Sequence, residues 1–174
     1  MPLFILVMVM LFYAGCADMK TGQGRVVRNA ICPLPKGPAV SLSEEEWKKR
    51  LSSEEYRVLR EKGTERPFSG VYVEHHQPGV YRCAACGTVL FLSQDKFDSG
   101  TGWPSFLRPA PEGNIGLRED SSHGMHRTEA YCQVCGGHLG HVFNDGPAPE
   151  GRRFCINSAS LRFDVPSSGG HSNP

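Results

Sequence analysis

The sequence carries almost no net charge: 19 Lys and Arg against 18 Asp and Glu leave a formal +1, with a pI near 7.6. It therefore lacks the basic footprint on which nucleic-acid binding depends. It also lacks an apolar run of the roughly 18 residues that a membrane-spanning helix requires; the run Leu3 to Ala14 holds only twelve. Sustained helical periodicity is missing too. Twenty Gly and 13 Pro in 174 residues punctuate the chain, which argues against a helical bundle and for short strands joined by many turns. The length suits one domain plus tails, and 39% apolar residues suffice for a packed core. What the chain does have in number is cysteine: seven residues, which carry most of the functional information.

The twelve-residue apolar run ends in the small residues Ala14-Gly15, immediately before Cys16. This pattern reads as a secretory core with its cleavage site, and Ala-Gly-Cys resembles a bacterial lipoprotein signal whose Cys16 becomes acylated and attached to the membrane. No Lys or Arg precedes the run and Tyr13 is bulky, so an uncleaved anchor or a mis-assigned start codon are the alternatives. Export places the protein on the periplasmic side of the membrane; without a signal it is cytoplasmic. Residues 1–15 are accordingly set apart as signal or anchor. Residues 16–42 are a flexible arm with no period, 43–164 the folded domain, and 165–174 a disordered Ser/Gly/Pro tail.

Ser43 followed by Glu46 is a capping box, and apolar spacing then predicts two short helices, about 44–51 and 54–62, the second closed by Gly63. Trp47 is expected to anchor them onto the main domain. Beyond Pro67, short alternating segments predict strands over 70–74, 80–83, 88–92, 129–132, 138–143, 152–157 and 159–163. The fold class is mainly β: two small antiparallel sheets preceded by two short helices.

Tyr81-Arg-Cys-Ala-Ala-Cys-Gly87 is echoed by Tyr131-Cys-Gln-Val-Cys-Gly136, each a tight turn presenting two thiols outward. Cys83, Cys86, Cys132 and Cys135 thus form two C-x-x-C knuckles, the pattern of a tetrahedral four-thiolate zinc site. The 45 residues between the pairs exceed the spacing of compact zinc ribbons, which two separate hairpins would explain. A closed site of this kind is structural. Two disulfides, or a disulfide oxidoreductase using the C-x-x-C pairs, are the competing readings.

Cys16, Cys32 and Cys155 remain. Cys155 follows Arg152 and Arg153, whose charge favours the thiolate, and is a nucleophile candidate; a buried structural cysteine is the alternative. His138, His141 and Asp145 form a second polar cluster, suited to moving protons. Trp103, between Gly102 and Pro104, suggests a rigid loop offering an aromatic wall to a ligand, with a core residue as the alternative.

Taken together, several motifs in one order resemble the B-type peptide methionine sulfoxide reductases: Thr64-Glu-Arg-Pro-Phe-Ser-Gly70, both C-x-x-C pairs, Gly102-Trp-Pro-Ser-Phe106, His138-Leu-Gly-His141-Val-Phe, Asp145-Gly-Pro147 and Arg153-Phe-Cys-Ile-Asn-Ser-Ala-Ser-Leu161. The resemblance covers about 43–164. It implies thiol-dependent reduction of methionine-R-sulfoxide in oxidised peptides and proteins, a repair of oxidative damage, by a monomer with one structural zinc and a thioredoxin-like reductant. It implies that Cys155 is the nucleophile and becomes a sulfenic acid. It further implies that His138 and His141 supply a proton, that Asp145, Arg153 and Asn157 orient the site, and that Trp103 and Phe154 receive the substrate. Many relatives carry a resolving cysteine just before Gly-Trp-Pro-Ser-Phe; here Thr101 stands there, so Cys32 or an external thiol must resolve the sulfenic acid. A non-catalytic zinc-knuckle protein-binding module is the functional alternative.

Overall fold

A computed structural model describes residues 39–111 and 114–165. Cys16 and Cys32, with most of the arm, lie outside the described residues, as does the tail from 166 onward.

Two helices open the described chain: α1 (Glu44–Arg50) and α2 (Ser53–Leu59). Each starts with a reciprocal capping box, Ser43 with Glu46 and Ser52 with Glu55, which satisfies first-turn N–H groups that no helical carbonyl can reach. Trp47 is 1% exposed and sits in the core cluster with Leu51 and Leu59. The second helix ends sooner than 62. The left-handed turn after it falls on Lys62 (φ 58), not on Gly63. This side chain then reaches the carboxylate of Glu129, Nζ to Oε2 2.9 Å, and that ion pair helps to hold a conformation that a non-glycine residue otherwise resists.

Nine strands follow among the described residues: β1 (Val80–Cys83), β2 (Val89–Leu92), β3 (Lys96–Phe97), β4 (Ser105–Phe106), β5 (Ile115–Asp120), β6 (Arg127–Cys132), β7 (His138–Phe143), β8 (Arg153–Ile156) and β9 (Leu161–Asp164). They form two antiparallel sheets, ordered β2-β1-β9 and β3-β4-β8-β7-β6-β5. The strand expected over 70–74 is absent. Those residues make turns, because Gly70 lies where any Cβ would meet Ser158 Oγ at 2.1 Å and the Tyr72 N–H is taken by that hydroxyl. The six-residue strand β5 had no sequence signal: its Ile-Gly-Leu-Arg-Glu-Asp is an edge strand with a charged face.

The core sits between the sheets. Phe91 of the small sheet stacks on Phe106 of the large one at 4.2 Å, and Tyr81, Phe154 and Ile156 complete it. Strand alternation then decides which residues turn away from the core. Phe154 and Ile156 face it, so Arg153 and Cys155 face the other way. His141 and Ser105 pair with Cys155 and share its side of the sheet.

Candidate active site

His138 and His141 are three residues apart, a spacing that a regular strand places on opposite faces. Here the register between β6 and β7 shifts: Ala130 pairs with Gly140 but Tyr131 with His138, leaving Leu139 as one extra residue in β7. The bulge brings both imidazoles to the same face, with ring centroids 5.3 Å apart. Gly140 is required there, since a Cβ would lie 2.0 Å from the Cys155 carbonyl oxygen.

A cleft of about 130 Å³ is lined by Cys155, Trp103, His141, Phe143, Arg127 and Asn157. His141 is fixed by a 2.7 Å bond from Nε2 to Asp120 Oδ2, and Asp120 also accepts from Arg127 Nη2 at 2.8 Å. Hydrogen bonds from Ser122 and His141 hold the Asp120 carboxyl well below the usual carboxylate range. His138 occupies a different place. It is 2% exposed, does not line the cleft, and bonds through Nδ1 to Glu129 Oε1 at 2.9 Å. Burial lowers its pKa against the pull of Glu129, so this imidazole is neutral at pH 7. Burial would raise the Glu129 carboxyl, but Arg118, Lys62 and His138 outweigh it and hold it at about 2.

Cys155 is partly buried at the cleft. Burial pushes its thiol up, and the Arg153 guanidinium and Thr101 hydroxyl pull the other way without prevailing. The expectation that Arg152 and Arg153 favour the resting thiolate therefore needs correction. Arg153 is held two-pronged by Asp145, Nε and Nη2 each at 2.9 Å, and Arg152 lies over the Phe154 ring at 5.8 Å. Burial therefore favours the protonated form of the resting thiol. Alkylation by iodoacetamide, which requires the thiolate, is expected to be slow at pH 7 and to rise about tenfold per pH unit until it levels off above the pH at which free cysteine does. A rate already level at pH 7 would show a resting thiolate.

Phe154 is the second correction. It is 1% exposed and packs edge-on against Phe91 at 5.9 Å, so it belongs to the core and not to the cleft; its neighbour Cys155 points the other way for the same pleat reason. Asn157 lines the cleft but chiefly braces it, donating from Nδ2 to the Leu139 carbonyl at 2.9 Å and accepting the Glu65 N–H at 3.0 Å. Glu65 itself was not singled out from the sequence, although it stands in the 64–70 motif. Its carboxylate accepts the Ser158 and Ala159 N–H groups at 2.7 and 3.0 Å, and its carbonyl accepts Trp103 Nε1–H at 3.1 Å. One buried residue thus ties the cleft's aromatic wall to the loop that follows Cys155. Asp120 and Arg127 were likewise missed, since charges on an edge hairpin carry no motif.

The four knuckle sulfurs lie within 4.8 Å of one another, with Cys83–Cys135 and Cys86–Cys132 contacts of 3.6 Å. A sulfur tetrahedron around an ion at about 2.3 Å has edges of about 3.8 Å, so the donor set fits a thiolate-bound metal. A disulfide, at about 2.05 Å, does not describe these contacts, and all five described cysteines are free. Contrary to the expectation of outward thiols, Cys83, Cys132 and Cys135 are buried. Gly87 and Gly136, at φ 75 and 73, make the tight turns that aim them inward. Cys83 ends a strand of the small sheet and Cys132 a strand of the large one, so the cluster joins the two sheets.

The SelR domain model matches residues 51–165. The peptide methionine sulfoxide reductase MsrB of Leptospira interrogans is 59% identical over 124 residues, 71% of this chain and 95% of that protein. The MsrB of Methanosarcina barkeri is 58% identical over 131 residues, 75% of this chain and 92% of that protein. The mitochondrial methionine-R-sulfoxide reductase B3 of Mus musculus is 50% identical over 148 residues, 81% of this chain and 58% of that protein. With the matched span taking in both knuckles, Trp103, His141 and Cys155, this chain belongs to the SelR-domain family of MsrB methionine sulfoxide reductases.

Proposed function

We propose that this enzyme reduces methionine-R-sulfoxide in peptides and proteins to methionine. The observation that carries the reading is one cleft holding a thiol, an indole and an imidazole: Cys155, Trp103 and His141. Cys155 sulfur attacks the sulfoxide sulfur, the S–O bond breaks, and the oxygen ends on Cys155 as a sulfenic acid while the thioether leaves. The two electrons come from the cysteine sulfur. A second thiol condenses with the sulfenic acid, releasing water and forming a disulfide, and a further thiol reduces that disulfide. The indole of Trp103 packs against the S-methyl group, an apolar sulfur–aromatic contact.

His141, oriented by Asp120, supplies the proton that the sulfoxide oxygen needs. His138, buried and engaged with Glu129, braces the same face of the sheet beside the cleft. Replacing His141 with Asn should therefore cut turnover by about 10²–10⁴-fold. His138→Asn should lower the melting temperature more than the rate. Larger loss of rate in the His138 variant would reverse the assignment.

The knuckle sulfurs hold one zinc ion, a closed site that supplies cross-linking and no chemistry. The reductant is a thioredoxin-like protein, the enzyme acts as a monomer, and Cys32 or an external thiol resolves the sulfenic acid. The apolar run 3–14 and Ala14-Gly15-Cys16 support export to the periplasmic side with lipid attachment through Cys16. A zinc-knuckle binding module gives no account of the shared cleft. The test is a single-turnover reaction with racemic N-acetylmethionine sulfoxide and dithiothreitol. Half the sulfoxide should disappear, leaving the S epimer; consumption of the S epimer instead would refute the reading.

A further inference from the structure

Phe68 is out of place by two measures. The residue is 68% exposed, and its backbone sits at φ 61, a region that aromatic residues seldom enter and that costs free energy. The surroundings impose this. The Phe68 N–H donates to the Gly102 carbonyl at 2.7 Å, and Gly102 is packed so closely that a Cβ there would lie 2.8 Å from the Phe68 nitrogen. Neither strain nor exposure stabilises the free protein.

The ring is one wall of a second cleft, of about 120 Å³, whose other residues include Val73, Phe97, Trp103, Glu74 and Asp98. Among the described residues, Trp103 alone lines both this cleft and the one that holds Cys155. The two clefts thus adjoin through the indole that receives the substrate's S-methyl group. Two carboxylates on the second cleft make it unfavourable for an anion.

We infer that the cleft between Phe68 and Phe97 is a subsite for the side chain next to the oxidised methionine in a polypeptide, and that it takes an apolar residue. The inference rests on the reductase reading. Burying a ring-sized apolar group in a pocket of this size is expected to raise kcat/KM about tenfold.

The experiment compares three substrates: N-acetylmethionine-R-sulfoxide, a hexapeptide with Phe on both sides of the methionine-R-sulfoxide, and the same peptide with Asp in those places. The wild-type enzyme should prefer the Phe peptide to the Asp peptide by about tenfold. Phe68→Ala should erase most of that ratio. Asp98→Asn, at an exposed position that does not endanger folding, should improve relative use of the Asp peptide by about two- to fivefold. Equal rates on both peptides in the wild type, an equal fall on all three substrates in Phe68→Ala, or an unchanged ratio in both variants would each overturn the inference. Activity on N-acetylmethionine-R-sulfoxide reports separately on the reductase reading, which stands or falls independently of the peptide ratios.

Discussion

Replacing Cys155 with Ser should abolish turnover, with a loss of at least about 10³-fold in single-turnover rate and no recovery on adding dithiothreitol. The sulfur is both the attacking atom and the source of the two electrons, and a hydroxyl oxygen cannot take the oxygen from a sulfoxide. The substitution changes almost no volume and leaves the Cys155 backbone pairing with Ser105 and His141 intact, so the fold should persist. The melting temperature should move by only a few degrees. The measurement is loss of racemic N-acetylmethionine sulfoxide, followed by chromatography that separates the epimers. Turnover in the variant at more than about a hundredth of the wild-type rate would locate the chemistry elsewhere.

The second large effect concerns the knuckles. Cys132→Ser should yield a protein that binds no metal and does not fold cooperatively. Cys132 is fully buried at the end of a large-sheet strand, and its sulfur lies 3.6 Å from Cys86, which hangs from the small sheet. A structural zinc contributes about 10–16 kcal/mol of binding free energy to folding, while the net stability of a domain is about 5–15 kcal/mol. Losing the cross-link therefore exceeds what the stacked rings of Phe91 and Phe106 can offset. Metal analysis and thermal unfolding check this. One equivalent of zinc in the wild type and none in the variant is the expected result, with the variant lacking a sharp transition. A variant that melts as the wild type does would show that the sheets need no ion between them.

The knuckle prediction was within reach of the sequence, because it rests on a feature that local chemistry writes into neighbouring residues. A C-x-x-C-Gly knuckle needs two thiols on one tight turn, and the positive φ at Gly87 and Gly136 is the conformation that glycine permits most cheaply. The capping boxes at Ser43 and Ser52 are local in the same way, and the strands over 80–83 and 138–143 follow from residue alternation alone. Elements without such a local signature went unseen. Strand β5 is held by its pairing with β6 and by ion pairs such as Arg118 to Glu129, partners that the chain brings together only on folding. The segment 70–74 alternates like a strand but is bent by contact with Ser158, 86 residues away from Tyr72.

The sequence by itself determined the fold class and the metal-binding cysteines, since strand alternation and a C-x-x-C-Gly knuckle are each encoded within a few consecutive residues, while Cys155 was marked only by the order of the motifs around it. Only the tertiary structure decided which histidine meets that thiol: cross-strand pairing sets His141 beside Cys155, whereas His138, brought to the same face by the extra residue in β7, is buried against Glu129. The pleat likewise sent Phe154 to the core, and burial, not the adjacent arginines, set the balance at Cys155. The reason is the same in each case. Burial, facing and electrostatic environment are properties of what surrounds a side chain, and those neighbours come from elsewhere in the chain.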